Sequence, residues 1–168
     1  IGPFTLLLVS AHATTTYALG SAGLHLLRHP DQWDALPDLP IEPAVEELLR
    51  YDPPFQALGR VAASDLELGG VQMRAGDQVQ LWIGAANRDP ARFPDPDRLD
   101  LTRPDNRHLT FGLGTHFCLG AALARLELQT ALTVLRSRCP RLTLAQEEVS
   151  RRNDSAIRGP GTLAVIVG

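Results

Sequence analysis

Cys118 is the side chain of this sequence best placed to do chemistry. It lies in the pattern Phe-Gly-x-Gly-x-His-x-Cys-x-Gly over residues 111–120, directly before a long helix-compatible segment. A helix N-terminus stabilises negative charge through its macrodipole and its free N–H groups, so this setting favours a thiolate. Gly112, Gly114 and Gly120 would let the backbone lie close against something flat and large. A lone cysteine is more often a small buried apolar residue, but the loop around this one favours a ligand.

Three further features could do or support chemistry. Glu47 and Arg50 lie three residues apart on one face of a predicted helix, where such a pair is commonly a surface ion pair of small energetic value. Arg60 follows on a predicted strand, and its planar guanidinium matches the shape of a carboxylate. Upstream, the hydroxyl of Thr14 can donate a hydrogen bond to the carbonyl of Ser10, one turn earlier, and bend a helix there.

The loop over residues 111–120 resembles the cysteine loop of the cytochrome P450 family, in which a cysteine thiolate is the proximal ligand of a heme iron. The resemblance extends over essentially the whole chain. It implies heme b (iron protoporphyrin IX) as the cofactor and Cys118 as the metal ligand. It assigns cofactor contacts to His116, Arg60, Phe111, Gly112, Gly120 and Ala11. Within that set, Arg60 and His116 would bind the heme propionates.

The same resemblance makes Glu47 and Arg50 the family's Glu-x-x-Arg motif, which holds the cysteine loop from behind. The third member of that network is a basic residue in the irregular loop before the cysteine. Arg98 occupies the matching position here, in Phe-Pro-Asp-Pro-Asp-Arg-Leu-Asp over residues 93–100. We expect the network to be structural, because removing one partner from a buried ionic group strands the charges of the others.

Thr14 is the catalytic residue that the resemblance implies on the distal helix. In the family, an acid and the threonine after it help deliver protons to bound dioxygen, so that the O–O bond breaks productively. Ala13 occupies the acid position and has no proton to relay. The neighbouring His12 points about 100° away around the helix and is a poor substitute. This departure leaves open a peroxide-driven or otherwise atypical heme-thiolate reaction.

Composition and charge give no sign of a nucleic-acid or membrane partner. The 168 residues are 44% hydrophobic and 21% charged with a net charge of −3, as in an ordinary globular domain. That charge gives no argument for binding to nucleic acid or to an anionic membrane, and no apolar run reaches transmembrane length. We therefore expect a cytoplasmic protein. Cys118 and Cys139 have no Cys-x-x-Cys spacing, which argues against a zinc site or a disulfide framework.

The residue patterns predict a mainly α fold with small antiparallel β-sheets, which the resemblance identifies as the C-terminal part of the cytochrome P450 fold. Predicted elements are helices at about 3–28, 41–51 and 119–137, an antiparallel sheet within 55–83, an ordered loop over 87–107, and short strands at 142–144 and 163–167. Residues 1–168 would form one heme-binding domain fragment. The chain begins Ile-Gly-Pro without Met, and we expect the N-terminal half to be absent.

The implied activity is a heme-thiolate monooxygenase that inserts one oxygen atom of O2 into a small apolar or natural-product-like organic substrate. Electrons would come from a redox partner of the ferredoxin and ferredoxin reductase type. A basic docking face for the acidic ferredoxin would consist of Arg103, Arg107, Arg125, Arg136 and Arg138. Two alternatives stay open: the peroxide-driven enzyme, and a truncated, non-catalytic heme-binding remnant.

Overall fold

Helices carry most of the fold in the computed structural model, which describes residues 2–153 and 156–168. They are α1 (Gly2–Arg28), α2 (Pro30–Ala35), α3 (Ile41–Tyr51), α4 (Ile83–Ala86) and α5 (Ala121–Arg138), with 3-10 turns at Leu36–Asp38 and Gly114–His116. Helices α1, α3 and α5 pack against one another, and their buried apolar side chains belong to one core. Ala18, Ala22 and Leu26 recur every four residues along α1, so they share the face that this core buries.

Short strands complete the fold. They are β1 (Leu58–Val61), β2 (Leu66–Leu68), β3 (Val71–Met73), β4 (Gln78–Leu81), β5 (Leu142–Leu144), β6 (Arg151–Asn153), β7 (Arg158–Pro160) and β8 (Val165–Val167). They form four antiparallel pairs among the described residues: β1 with β4, β2 with β3, β5 with β8, and β6 with β7. The single sheet expected within residues 55–83 is instead two separate pairs. Gly69 and Gly70, both with positive φ, close the β2–β3 hairpin on itself, and β1 pairs with β4 outside that hairpin.

A buried carboxylate ties distant parts of the chain together. Asp52, at the end of α3, lies 2.8 Å from His25 Nε2 and accepts hydrogen bonds from Arg151 Nη1 (3.0 Å) and Arg158 Nη2 (2.6 Å). Burial alone would raise the pKa of Asp52, but the hydrogen bonds from His25 and Arg158 hold that pKa well below its usual range. These four residues, the Asp52 cluster, join α1, α3 and the β6–β7 hairpin.

The mainly α fold with small antiparallel sheets is the one that the sequence predicts, and the bounds of α3 agree at both ends. Helix α5 begins at Ala121, because Leu119 and Gly120 form the turn that joins it to the cysteine loop. The sequence pattern does not predict the β6–β7 hairpin, since Arg151–Asn153 shows no apolar alternation, and Arg151 contacts Asp52 through charge. No helix in the described part of the chain has the length and hydropathy to cross a bilayer.

Candidate functional site

The cysteine loop, residues 111–120, folds back on itself through backbone hydrogen bonds. The N–H of Cys118 donates to the carbonyl of Phe111 at 2.9 Å, and the Cys118 carbonyl accepts from the N–H of Ala121, the first residue of α5, at 3.3 Å. Gly112 and Gly114 have φ of 72° and 75°, a conformation that side-chain-bearing residues rarely adopt. Gly112 and Gly114 therefore allow the backbone turns of the loop. Cys118 lies exposed at its end, just before α5.

The surroundings of Cys118 fit a flat, apolar, iron-containing group. Leu113, Phe117 and Leu119 flank it in the chain with exposed fractions of 82%, 51% and 89%, which is unusual for large apolar side chains. A Cβ added at Gly120 would meet no atom within 4 Å, so the space beside the backbone there is open. A thiolate is a ligand that heme iron accepts. The donor and its apolar surroundings are thus compatible with the heme that the sequence resemblance implies.

Arg60 and His116, which the sequence assigns to the heme propionates, line one open cleft of about 440 Å³. Its other walls come from β1 and β4. Among the described residues, the Arg60 guanidinium donates only to the carbonyl of Gly59, and no carboxylate pairs with it. An arginine without a carboxylate partner beside an open cleft suits an anionic group. The structure therefore brings together two residues that lie 56 positions apart in the sequence.

Glu47 is the centre of a buried ionic network behind the loop. Its two carboxylate oxygens accept hydrogen bonds from Arg50 Nη2 and Nε at 2.8 and 2.7 Å, and the side chains of Glu47 and Arg50 are fully buried. Arg103 Nε lies 3.1 Å from the same carboxylate, and Asn106 Nδ2 donates to it at 2.9 Å. The backbone N–H of Asp100 is a fourth partner, at 3.0 Å. The charge of Glu47 is thus matched by donors on α3 and in the loop over residues 87–107.

Arg98 is not the third basic side chain of this network, and the sequence-based assignment is wrong on this point. The Arg98 side chain is exposed, and its backbone carbonyl accepts hydrogen bonds from Arg50 and Arg103. Arg103 supplies the guanidinium instead, because the turns of the preceding loop carry it back to Glu47. The same guanidinium donates to the carbonyl of Pro94 at 2.7 Å, so it also fixes the path of that loop.

We expect Arg103→Met to destabilise the folded protein by about 2–3 kcal/mol, because it removes one of two cations from a buried carboxylate and leaves the Pro94 carbonyl unpaired. Arg98→Met is the matched control and should change stability by roughly 0.5 kcal/mol or less, since that side chain is exposed. Urea-induced unfolding of both variants measures the difference. Equal losses of unfolding free energy in the two variants would contradict the conclusion that Arg103, and not Arg98, pairs with Glu47.

Asn87 is a further anchor of the cysteine loop. It is fully buried, its Nδ2 donates to the Thr110 hydroxyl at 3.0 Å, and its Oδ1 accepts from the N–H of Leu109 at 2.8 Å. The Thr110 hydroxyl in turn donates to the carbonyl of Leu49 on α3 at 2.8 Å. The sequence signal for this anchor is weak: Asn87 stands between two elements with no motif that reports its partner.

The five arginines expected to form a docking face are not equivalent. Arg103 is buried against Glu47, and Arg125 makes a two-pronged contact with Glu46. Arg136 donates to the backbone carbonyls of Trp33 and Pro140. Arg107 and Arg138 are exposed. The prediction of a basic docking face is therefore wrong for Arg103, because its guanidinium is buried in the ion pair with Glu47.

The distal residues lie on the N-terminal half of α1. The Thr14 hydroxyl donates to the carbonyl of Ser10, as the sequence predicts. Ala11 is exposed and Ala13 is half-buried, one residue before Thr14. Among the described residues, no hydrogen bond joins Thr14 to the cysteine loop. The catalytic role of Thr14 stays a prediction.

Known proteins resemble this chain over nearly all of its length. The family model described as Cytochrome P450 matches residues 4–159. The chain is 50% identical over 146 residues to the biotin biosynthesis cytochrome P450 of Bacillus subtilis (strain 168), an alignment that covers 85% of this chain and 37% of the relative. It is 47% identical over 165 residues to nocardicin C N-oxygenase of Nocardia uniformis subsp. tsuyamanensis, covering 95% of this chain and 42% of the relative.

Solved structures give the same result. P450BioI, in complex with an acyl carrier protein ligated to hexadec-9Z-enoic acid, superposes with a TM-score of 0.94 at 45% identity, covering 97% of this chain and 43% of that one. The tirandamycin C-bound P450 monooxygenase TamI superposes with a TM-score of 0.93 at 43% identity, covering 97% and 42%. The chain thus spans about two fifths of the length of the relatives it matches.

Proposed function

Because the chain belongs to the cytochrome P450 family, we propose that it forms the heme-binding part of a heme-thiolate monooxygenase. The proposed reaction inserts one oxygen atom of O2 into a small apolar or natural-product-like organic substrate, with electrons from a redox partner. The observation that carries this proposal is the exposed Cys118, held by a glycine-rich loop at the start of α5 and surrounded by exposed apolar side chains.

In this proposal each residue has a distinct task. Cys118 ligates the iron of heme b, and its backbone N–H bond to Phe111 fixes its position. Arg60 and His116 bind the propionates from the cleft that they share. Bound heme supplies oxygen activation, which an electron-donating thiolate favours. Thr14 holds a proton on its hydroxyl, and the small side chain of Ala11 leaves room beside the cofactor.

Relatives support the proposed class of substrate. One is named for nocardicin C N-oxygenation, and a similar structure holds tirandamycin C, so family members of this kind act on or bind natural products. Another similar structure binds an acyl chain on a carrier protein. For electron supply we propose a ferredoxin with its reductase, docking near the exposed Arg107 and Arg138.

The first test is the absorbance spectrum of the reduced, heme-loaded protein with and without carbon monoxide. A strongly red-shifted thiolate-type Soret band is the expected result, because Cys118 is the proposed ligand. A histidine-type band would overturn the proposed ligation. Failure to take up heme would mean that the motif persists in the sequence but that this chain alone is not a working enzyme. Turnover with ferredoxin, its reductase, NAD(P)H and O2 then tests the monooxygenase reaction itself.

Ala13 favours a second candidate, a peroxide-driven heme-thiolate enzyme. It occupies the position of the acid that relays protons, and its methyl side chain relays none. Peroxide delivers oxygen that is already reduced, so this reaction needs fewer proton and electron transfers. Product formation with hydrogen peroxide but not with reductant and O2 would favour this candidate over the monooxygenase.

We expect Ala13→Glu in the complete polypeptide to raise severalfold the fraction of consumed NAD(P)H that appears in product, because the new carboxyl restores a proton donor before Thr14. Parallel assays of NAD(P)H consumption, hydrogen peroxide release and product measure this coupling. Unchanged or lower coupling would mean that the helix already uses another proton path.

A further inference from the structure

A second ionic group, separate from the Glu47 network, lies between the cysteine loop, α3 and α5. Arg125 Nε and Nη2 donate to the two oxygens of Glu46 at 2.7 and 2.8 Å, and His108 Nε2 lies 3.2 Å from the same carboxylate. The Arg125 guanidinium carbon stands 4.4 Å from the ring centroid of Phe111, within range of a cation–π contact. We call these residues, Glu46, His108, Phe111 and Arg125, the Glu46 cluster.

The Glu46 cluster is coupled to Cys118 through Phe111. Arg125 lies in the second turn of α5, and its guanidinium stands over the ring of Phe111, the first residue of the cysteine loop. The backbone carbonyl of Phe111 accepts a hydrogen bond from the backbone N–H of Cys118. The Arg125 and Glu46 side chains are 32% and 24% exposed, so water screens their charges in part, while the buried Phe111 lies between Arg125 and the backbone of Cys118.

The pKa values agree with an ion pair between the two groups. The hydrogen bonds between Arg125 and Glu46 raise the pKa of Arg125 above its usual range. Burial alone would raise the pKa of Glu46, but Arg125 and His108 lower it to about 2. Both groups are therefore charged at neutral pH.

Resting on the proposed heme-thiolate function, we propose that Arg125 and Glu46 are positioning residues that set, with opposite sign, the electrostatic field at Cys118 and hence the reduction potential of the bound iron. Reduction adds one negative charge to the iron and its thiolate. A nearby cation stabilises the reduced form and a nearby anion destabilises it.

The signs of the expected shifts separate this role from a structural one. Arg125→Met removes the cation and should shift the reduction potential to a more negative value. Glu46→Gln leaves Arg125 uncompensated and should shift it to a more positive value. If the pair only clamped the loop, both substitutions would loosen the same contact and shift the potential in the same direction.

The experiment uses the complete heme-loaded polypeptide and measures the potential by spectroelectrochemistry, with the carbon monoxide spectrum and the melting temperature recorded for each variant. The Glu46→Gln and Arg125→Met double variant should lie between the two single variants. Arg125→Lys, which keeps the charge, should stay close to the unmodified protein. Arg141→Met removes an exposed arginine just beyond the end of α5 and should leave the potential unchanged.

Shifts of the same sign, or no shift, in Arg125→Met and Glu46→Gln would overturn the inference while a thiolate-type band in the unmodified protein still supports the proposed function. A missing thiolate-type band in the unmodified protein would instead overturn the proposed function. If Arg125→Met does not fold, Glu46→Gln still decides the question, because a negative or absent shift in that variant contradicts the proposal.

Discussion

Cys118→Ser is expected to abolish thiolate ligation and leave the fold intact. A serine hydroxyl is not ionised at neutral pH and does not replace a thiolate as an iron ligand. The contacts that position Cys118 come from its backbone N–H and carbonyl, and its side chain is exposed. The reduced carbon monoxide complex should lose its red-shifted Soret band, with a stability change of roughly 0.5 kcal/mol or less in the heme-free protein.

Cys139→Ser provides the matched control for that experiment. Cys139 is half-buried at the end of α5, where it packs against the core and takes no part in the cysteine loop. The control should therefore keep the thiolate-type band. A thiolate spectrum that persists in Cys118→Ser would mean that another residue ligates the iron, and the proposed site would have to be abandoned.

Glu47→Gln is expected to destabilise the folded protein strongly. Two guanidinium groups, those of Arg50 and Arg103, share the Glu47 carboxylate, and neither has another carboxylate partner among the described residues. A glutamine amide offers one acceptor and leaves both cations buried without a counter-charge. Loss of a partner from a buried ion pair costs about 3–5 kcal/mol, which is a large share of the 5–15 kcal/mol that typically stabilises a domain.

Urea-induced unfolding followed by circular dichroism measures this loss. Glu42→Gln is the matched control, because Glu42 lies on the same helix with an exposed side chain. It should change the free energy of unfolding by roughly 0.5 kcal/mol or less. A Glu47→Gln variant that unfolds at the same urea concentration as the control would show that the network contributes no net stability.

Local patterns predict much of this molecule, and the reason is visible in α3. Its acidic first turn, its late Arg50 and the two prolines that follow are signals within a few residues of the helix they define. The cysteine loop is similar, since its glycines lie beside the residue they position. Both features could therefore be predicted from the sequence, and the Glu47–Arg50 contact followed from their spacing.

Contacts chosen by the path of an irregular loop could not be predicted in this way. Arg98 and Arg103 have the same side chain, and only the turns between Pro94 and Arg103 decide which of them reaches Glu47. The contact between Glu46 and Arg125 joins residues 79 positions apart, and no local pattern records it. Contacts between residues so far apart in the sequence can be identified only from the packing of α3 against α5.

The Asp52 cluster also sets an order of events during synthesis. Arg151 and Arg158 follow Asp52 by 99 and 106 positions, so a ribosome that adds about 5–20 residues per second makes them roughly 5–20 s after Asp52. During that interval His25 is the only partner of Asp52 from this cluster. The carboxylate at the end of α3 does not yet have the positive charges of Arg151 and Arg158 beside it. The nascent chain can therefore pack α1, α2 and α3 early, but it completes the Asp52 cluster only when β6 and β7 have been made.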